Sequence, residues 1–152
     1  MKIANATGRH RAAIAELMAE SPLLRRYGVT ARRARASVAE ALRERDVVVI
    51  ALDGQEVVGL AWLITTRALD HAAYLRLLLV DESVGSRGVG GALLARAEKA
   101  ARAARCRHLA LLVTKTNGRA RAFYARHGYR HVGDLRGFVR PRIDEAFYVK
   151  SW

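Results

Sequence analysis

A run of glycines between two segments of regular structure limits the possible folds of this chain more than any other feature. Four glycines fall within seven positions of VDESVGSRGVGGALL, residues 80–94. The preceding YLRLLLV, residues 74–80, predicts a central strand, and apolar residues at helical spacing predict a helix over residues 88–104. Glycines at such a junction let backbone N–H groups approach a ligand, and the helix N-terminus adds partial positive charge. This order favours a phosphate-binding turn.

The glycine segment does not match two common phosphate-binding loops. A Walker A loop ends in Gly-Lys followed by Ser or Thr, whereas residues 88–91 contain neither a lysine nor a hydroxyl. A dinucleotide fingerprint follows the first strand of a βαβ unit and has a glycine where Leu93 stands, but this turn follows the fourth predicted strand. Taken alone, the segment leaves two alternatives open, a phosphate site and a plain tight turn.

The remaining segments predict one α/β (α+β) domain over residues 1–152. Its length is ordinary for a single hydrophobic core. Asp53-Gly54 predicts a tight hairpin, Ser21-Pro22 is expected to end the first helix, and Gly128 to end the last. In chain order we expect strand 2–6, helices 9–20 and 31–45, strands 47–52, 56–65 and 74–80, helix 88–104, strand 108–114, helix 118–127, and strands 129–138 and 144–150.

The charge of the chain is strongly positive, with 27 Lys and Arg residues against 14 Asp and Glu and a formal net charge of +13. Such a field attracts polyanions, so a nucleic-acid-binding module is one alternative. The arginines are spread along the chain without interleaved aromatic residues, which makes nucleic acid an unlikely partner. No apolar run approaches the length that spans a bilayer, and the single Cys106 fits a reducing cytoplasm. The histidines lack metal-ligand spacing.

A second motif, NGRARAFYARHGY at residues 117–129, has the form N-x-x-A-x-x-F-Y-x-x-x-G-[FY]. Together with the glycine turn some thirty residues upstream, it resembles the acetyl-CoA-binding half of the GNAT family of N-acetyltransferases. The first motif of that family reads roughly V-x-P-x-x-[QR]-G-x-G-[VI]-G-x-x-L. The positions that match it are Val80, Gly88, Val89, Gly90 and Leu93, and those that depart from it are Glu82, Gly85 and Ser86.

The resemblance implies a fold and a reaction. It implies a central mixed, mostly antiparallel sheet of six to seven strands flanked by about four helices. It also implies transfer of the acetyl group of acetyl-CoA to a primary amine of a small molecule or peptide, and a homodimer as a possible assembly. A CoA-binding sensor without turnover is the second alternative, because Gly85 stands where the family has Arg or Gln. Arg87, two residues on, is the candidate replacement for that side chain.

The resemblance also assigns roles to single residues. Main-chain groups of Leu78, Leu79 and Val80 would line the pantetheine arm, and an N–H near the end of this strand would stabilise negative charge on the thioester oxygen. Tyr124 would protonate the departing thiolate. Asn117 and Ala120 would contact the cofactor from the other side. The backbone amides expected to hold the pyrophosphate are those of Gly85, Ser86, Arg87, Gly88, Val89 and Gly90.

The sequence does not identify the general base. Strand 74–80 has Arg76 as its one charged residue, so a water chain or deprotonation of the amine in solvent is the alternative to a carboxylate there. Asp70, His71 and Glu82 flank the strand and are more typical of solvated turns than of a catalytic base. The acceptor site is expected at the first two helices and the loop over residues 67–71, with Tyr27 and Trp62 as a possible apolar wall.

Overall fold

The computed structural model describes residues 1–85 and 87–152, so Ser86, predicted to contribute to the pyrophosphate turn, lies outside the described residues. No helix in these two ranges is long and apolar enough to cross a membrane. The strands are β1 Lys2–Asn5, β2 Val47–Asp53, β3 Glu56–Thr65, β4 Ala73–Val80, β5 His108–Thr114, β6 Arg130–Arg140 and β7 Ile143–Ser151. The helices are α1 Arg11–Glu20, α2 Pro22–Arg26, α3 Ala31–Arg43, α4 Ala68–His71, α5 Val89–Ala103 and α6 Gly118–Arg126.

The seven strands form one sheet in the order β1-β2-β3-β4-β5-β7-β6. Neighbouring strands run antiparallel except for β4 and β5, which are parallel. The predicted mixed, mostly antiparallel sheet is therefore confirmed, and the parallel pair lies at its centre. The helix between β4 and β5 makes that parallel connection possible, because a parallel strand needs a long crossover.

Helices cover the two faces of the sheet in different places. Successive side chains of β2 alternate between two cores, as expected for a strand buried on both faces. Val49 and Ala51 pack in the core beneath α5 and α6, whereas Val48 and Ile50 pack beneath α1 and α3. On the α1 and α3 side, these two helices cover β2 and β3.

Two short α-helices of the described residues were not predicted from the sequence patterns. Ser21 ends α1, as expected, but its Oγ also accepts a hydrogen bond from Leu24 N at 3.3 Å and so caps α2. Pro22 is compatible with this position because the first helical residue needs no N–H donor. The second helix, α4, is a single turn in which Leu69 and Asp70 have φ of 50° and 56°. A left-handed turn of non-glycine residues has no simple sequence signature.

Candidate functional site

A wedge opens in the sheet where β4 and β5 separate. The two strands pair over three residues, Ala73 to Leu75 with Leu109 to Leu111. Beyond this point β5 stays paired with β7 as far as Thr114, and β4 stays paired with β3 as far as Val80. The register of β4 against β3 shifts between Trp62 and Leu63, a bulge of the kind that bends a strand.

The edge of β4 that faces the wedge carries the predicted residues Leu78, Leu79 and Val80. These residues pair on one side with Ala61, Leu60 and Gly59 of β3. Their other side has no strand partner among the described residues, so main-chain groups there are available to a bound molecule. An extended ligand can use them as an added strand would.

The glycine turn follows β4 directly and leads into α5. Gly88 has φ of 77° and ψ of 6° and is the N-cap residue of α5, and Gly85 has φ of 64°. Positive φ favours glycine at both positions. A Cβ atom built on either residue meets no other atom within 4 Å, so the surface of the turn is open. Val89, the first residue of α5, is buried and fixes the helix start in the core.

Gly90 brings α5, α6 and the end of β4 close together. A Cβ atom on this residue would lie 3.6 Å from the ring of Phe123 and 3.8 Å from Val80 Cγ2. The two sequence motifs, separated by some thirty residues in the chain, are therefore in direct contact.

Asn117 is the N-cap residue of α6, and its Oδ1 accepts a hydrogen bond from Ala120 N at 3.1 Å. Tyr124, one helical turn further on, is 8% exposed and packs edge-to-face on Phe123 and Tyr129. Burial raises the pKa of the Tyr124 phenol well above its ordinary value, so the hydroxyl is protonated at neutral pH. Tyr124 is thus the more buried member of the Phe123-Tyr124 pair, and Phe123 is half-buried beside the glycine turn.

A hydrogen-bonded cluster of three side chains ties the loop after α2 to the sheet. The Tyr27 hydroxyl donates to Glu145 Oε1, and its oxygen lies 2.6 Å from Thr114 Oγ1. Burial, with the hydrogen bond to the carboxylate, raises the pKa of Tyr27 to about 12, and burial raises the pKa of Glu145. Arg140 holds the same loop from outside by donating from Nε to Tyr27 O at 2.9 Å.

This cluster is not apparent from the sequence, because Thr114 and Glu145 lie 87 and 118 residues from Tyr27 in the chain. One signal was available. Asp144 and Glu145 are neighbours on a predicted strand, so they must point to opposite faces, and one of the two carboxyls has to face inward. Tyr27, expected as part of an apolar wall, acts as a hydrogen-bond donor instead.

An apolar groove of about 520 Å³ lies on the sheet at the closed end of the wedge. Its floor includes Tyr74 and Leu112, the neighbours of the last β4–β5 pair, Leu75 and Leu111. Its apolar lining includes Leu69, Tyr74, Leu112, Phe138, Val139 and Phe147. Among the described lining residues, Arg76 is the one charged side chain.

Residues 12–129 match the family model described as Acetyltransferase (GNAT) family, which covers both motifs and the wedge between them. The chain belongs to this family. It is therefore an acyl-CoA-dependent N-acetyltransferase, with acetyl-CoA as co-substrate and an acceptor as second substrate. A comparison with curated proteins found no match to the sequence.

Solved GNAT structures have the same fold over nearly the whole chain. An aminoglycoside 6'-N-acetyltransferase complexed with coenzyme A has a TM-score of 0.84 at 17% identity, over 99% of this chain and 97% of that one. Ribosomal-protein-alanine N-acetyltransferase from Brucella melitensis has a TM-score of 0.81 at 20% identity, over 100% of both chains. An N-acetyltransferase from Staphylococcus aureus Mu50 also has a TM-score of 0.81, at 19% identity, over 99% and 97%. These similarities establish the GNAT fold.

Two groups of predicted residues have exposed side chains that lie outside strands β4 and β5. The guanidinium of Arg87, the candidate replacement for the Arg or Gln missing at Gly85, lies 3.7 Å from the carboxylate of Asp53 at the end of β2. Both side chains are more than half exposed, so this ion pair is weak. Asp70, His71 and Glu82 are exposed on turns, as the sequence analysis expected of solvated residues.

Proposed function

We propose that residues 1–152 form a single N-acetyltransferase domain that transfers the acetyl group of acetyl-CoA directly to a primary amine. The observation that carries the proposal is the unpaired edge of β4, which runs straight into the glycine turn at the N-terminus of α5. Acetyl-CoA requires an extended site for its pantetheine arm followed by a site for pyrophosphate. The edge and the open turn supply these in the right order.

The residues present fit acetyl-CoA. The Cβ positions of Gly85 and Gly88 are open, so neither of these two residues has a side chain that would keep a phosphate from its backbone amide. We assign the pyrophosphate to the amides of residues 85–90, the pantetheine arm to residues 78–80, and further contacts to Asn117 and Ala120. An N–H of the free β4 edge would donate to the carbonyl oxygen, on which negative charge develops as the amine attacks.

We assign to Tyr124 the proton that the leaving sulfur requires. When bound, acetyl-CoA supplies the thioester carbon and a thiolate leaving group. The amine nitrogen bonds to the acetyl carbon, the carbon–sulfur bond breaks with its electron pair on sulfur, and Tyr124 donates its proton there. The proton lost by the amine returns the phenolate to the phenol. Tyr124 is a neutral phenol before the reaction, as a proton donor must be, although its raised pKa makes it a weaker acid than a free phenol.

Replacing Tyr124 with Phe tests this assignment. The Tyr124→Phe variant should bind acetyl-CoA as tightly as the natural protein in calorimetry but release CoA thiol at least ~100-fold more slowly, as expected when a general acid is lost. Tyr129→Phe is the control, since Tyr129 is also buried, packs on Tyr124 and loses with its hydroxyl a hydrogen bond to Glu98 Oε1. Equal loss of turnover in both variants would mean that Tyr124 has only a structural role.

A CoA-binding protein without turnover is the second alternative left by the sequence, and membership of the acetyltransferase family weighs against it. The observation in its favour is the absence of a carboxylate among the described residues of β4. A thiol-release assay with acetyl-CoA against amines, peptides and antibiotics separates the two, because a sensor binds acetyl-CoA and releases no thiol with any amine. If acetyl-CoA shows no saturable binding in calorimetry, both candidates fail.

We also propose a cytoplasmic location, supported by Cys106, a buried free thiol that fits a reducing compartment. The homodimer implied by the family resemblance stays a prediction, and light scattering coupled to size-exclusion chromatography tests it.

A further inference from the structure

The groove at the closed end of the wedge points to the chemical class of the acceptor, an inference that rests on the proposed function. A molecule lying along the β4 edge with its phosphates at the glycine turn has its other end near the last β4–β5 pair. The groove floor begins at this pair, with Tyr74 and Leu112 on the two strands. The side chains of the groove therefore contact whatever carries the attacking amine.

Exposed apolar side chains concentrate at this groove. Of the five large apolar residues that are exposed in the described chain, three line it: Leu69 at 70%, Phe138 at 65% and Val139 at 50%. Apolar side chains gathered around a concavity mark a binding surface more often than apolar residues scattered singly. The groove volume of about 520 Å³ suits a small molecule.

The backbone around Leu69 holds an unfavourable conformation that presents this side chain at the groove. Leu69, Asp70 and His71 have φ of 50°, 56° and 58°, three successive non-glycine residues in the left-handed region. Each such residue costs on the order of 1 kcal/mol. A turn that keeps an energetically unfavourable backbone conformation next to an apolar groove is typical of a binding loop.

Arg76 is positioned to bind an anionic group at the edge of the groove. Its guanidinium lies 4.8 Å from the ring centroid of Trp62, and the Trp62 indole donates to Asp46 Oδ2 at 2.8 Å. This stacking orients the guanidinium without using its hydrogen-bond donors. Within the described chain no carboxylate lies within 4 Å of Arg76. A ligand carboxylate would find both donors and charge there.

From these features we infer that the acceptor is a small primary amine with an apolar body and a carboxylate, the class to which apolar amino acids belong. The apolar lining takes the body and Arg76 takes the carboxylate. The described lining has no acidic residue to hold a second ammonium, and the net charge of +13 repels polycations. Polyamines and aminoglycosides are therefore poor acceptors.

A matched panel of amines tests this inference by thiol release. L-phenylalanine should give a kcat/KM at least ~10-fold above phenethylamine, which lacks the carboxylate, and above L-alanine, which lacks the apolar body. Spermidine and kanamycin should react more slowly than all three. A faster reaction of spermidine, kanamycin or a peptide amino terminus than of phenylalanine would overturn the inference.

Two pairs of variants identify the groove as the site. Val139→Ser should raise the KM for phenylalanine several-fold, whereas Val132→Ser should not, although both valines are about half exposed on β6. Arg76→Gln should reduce the preference for phenylalanine over phenethylamine about 10-fold, and Arg130→Gln should leave it unchanged. If the control variants lower the preference equally, the amine binds elsewhere.

Binding without turnover separates this inference from the proposed function. Calorimetry should detect phenylalanine binding to the CoA-loaded protein, and Val139→Ser and Arg76→Gln should each weaken it. Saturable acetyl-CoA binding with no phenylalanine binding would overturn the acceptor class and leave the acetyl-CoA site standing. Absence of acetyl-CoA binding would instead overturn the proposed function.

Discussion

Glu145 is a buried carboxyl in a region where a sequence pattern suggested only an ordinary strand. It is 2% exposed, and the Tyr27 hydroxyl donates to it. Burial disfavours its charged form and raises its pKa despite that hydrogen bond. The loop after α2 is thus hydrogen-bonded to a buried carboxyl of β7 whose pKa is raised.

The raised pKa of Glu145 makes the stability of the fold depend on pH. The folded state binds the proton more tightly than the unfolded chain, so the contribution of Glu145 is greatest below the ordinary glutamate pKa near ~4.3. This contribution is lost as the pH rises through the raised pKa. In urea unfolding, the free energy of unfolding of the natural protein should fall between pH 4.5 and 7.5, and the fall should be smaller in Glu145→Gln.

Glu56→Gln, a change at an exposed position, is the control and should show the same fall as the natural protein. If the free energy of unfolding falls equally with pH in Glu145→Gln, Glu145 is not its cause.

Among the elements, α5 shows how closely a helix can be predicted when its end is specified locally. The pattern predicts residues 88–104 and the helix spans Val89–Ala103, because Gly88 in its left-handed conformation marks the start. Helices α2 and α4 were missed for physical reasons. Ser21-Pro22 serves equally as a helix end and as a helix start, and α4 depends on three strained residues that no local propensity favours.

The same element gives a prediction on cofactor binding. Gly88→Ala puts a residue with a side chain at positive φ, which should destabilise the fold by about 1 to 2 kcal/mol. The added methyl group also lies on the open surface of the turn, so acetyl-CoA binding should weaken at least ~10-fold. Gly54→Ala is the matched control. Gly54 has φ of 62° and equally open surroundings, so it should lose similar stability in urea unfolding and no affinity in calorimetry. Equal affinities of the two variants would place the phosphates elsewhere.

At the scale of the whole molecule, the sheet and both helical layers follow from hydrophobic periodicity and from the two motifs. The apolar groove that we propose for the acceptor does not, because its side chains come from α4, β4, β5, β6 and β7 and meet only through the sheet order. The sequence also does not show where β4 and β5 separate, because this point depends on β4 staying paired with β3 while β5 stays paired with β7. What sequence patterns miss here is long-range pairing.

The net charge is a property of the whole molecule that salt should reveal. Ion pairs within the described residues use four of the 27 Lys and Arg side chains, Arg43, Arg87, Lys115 and Lys150, so like-charge repulsion opposes the compact state. Raising NaCl from about 10 mM to about 300 mM shortens the Debye length from ~30 Å to under ~10 Å and should raise the Tm by several degrees. The Gly88→Ala variant is the control. If the Tm of Gly88→Ala does not rise with NaCl, the rise in the natural protein comes from anion binding at the glycine turn and not from screening. A Tm of the natural protein that falls with NaCl would contradict net repulsion.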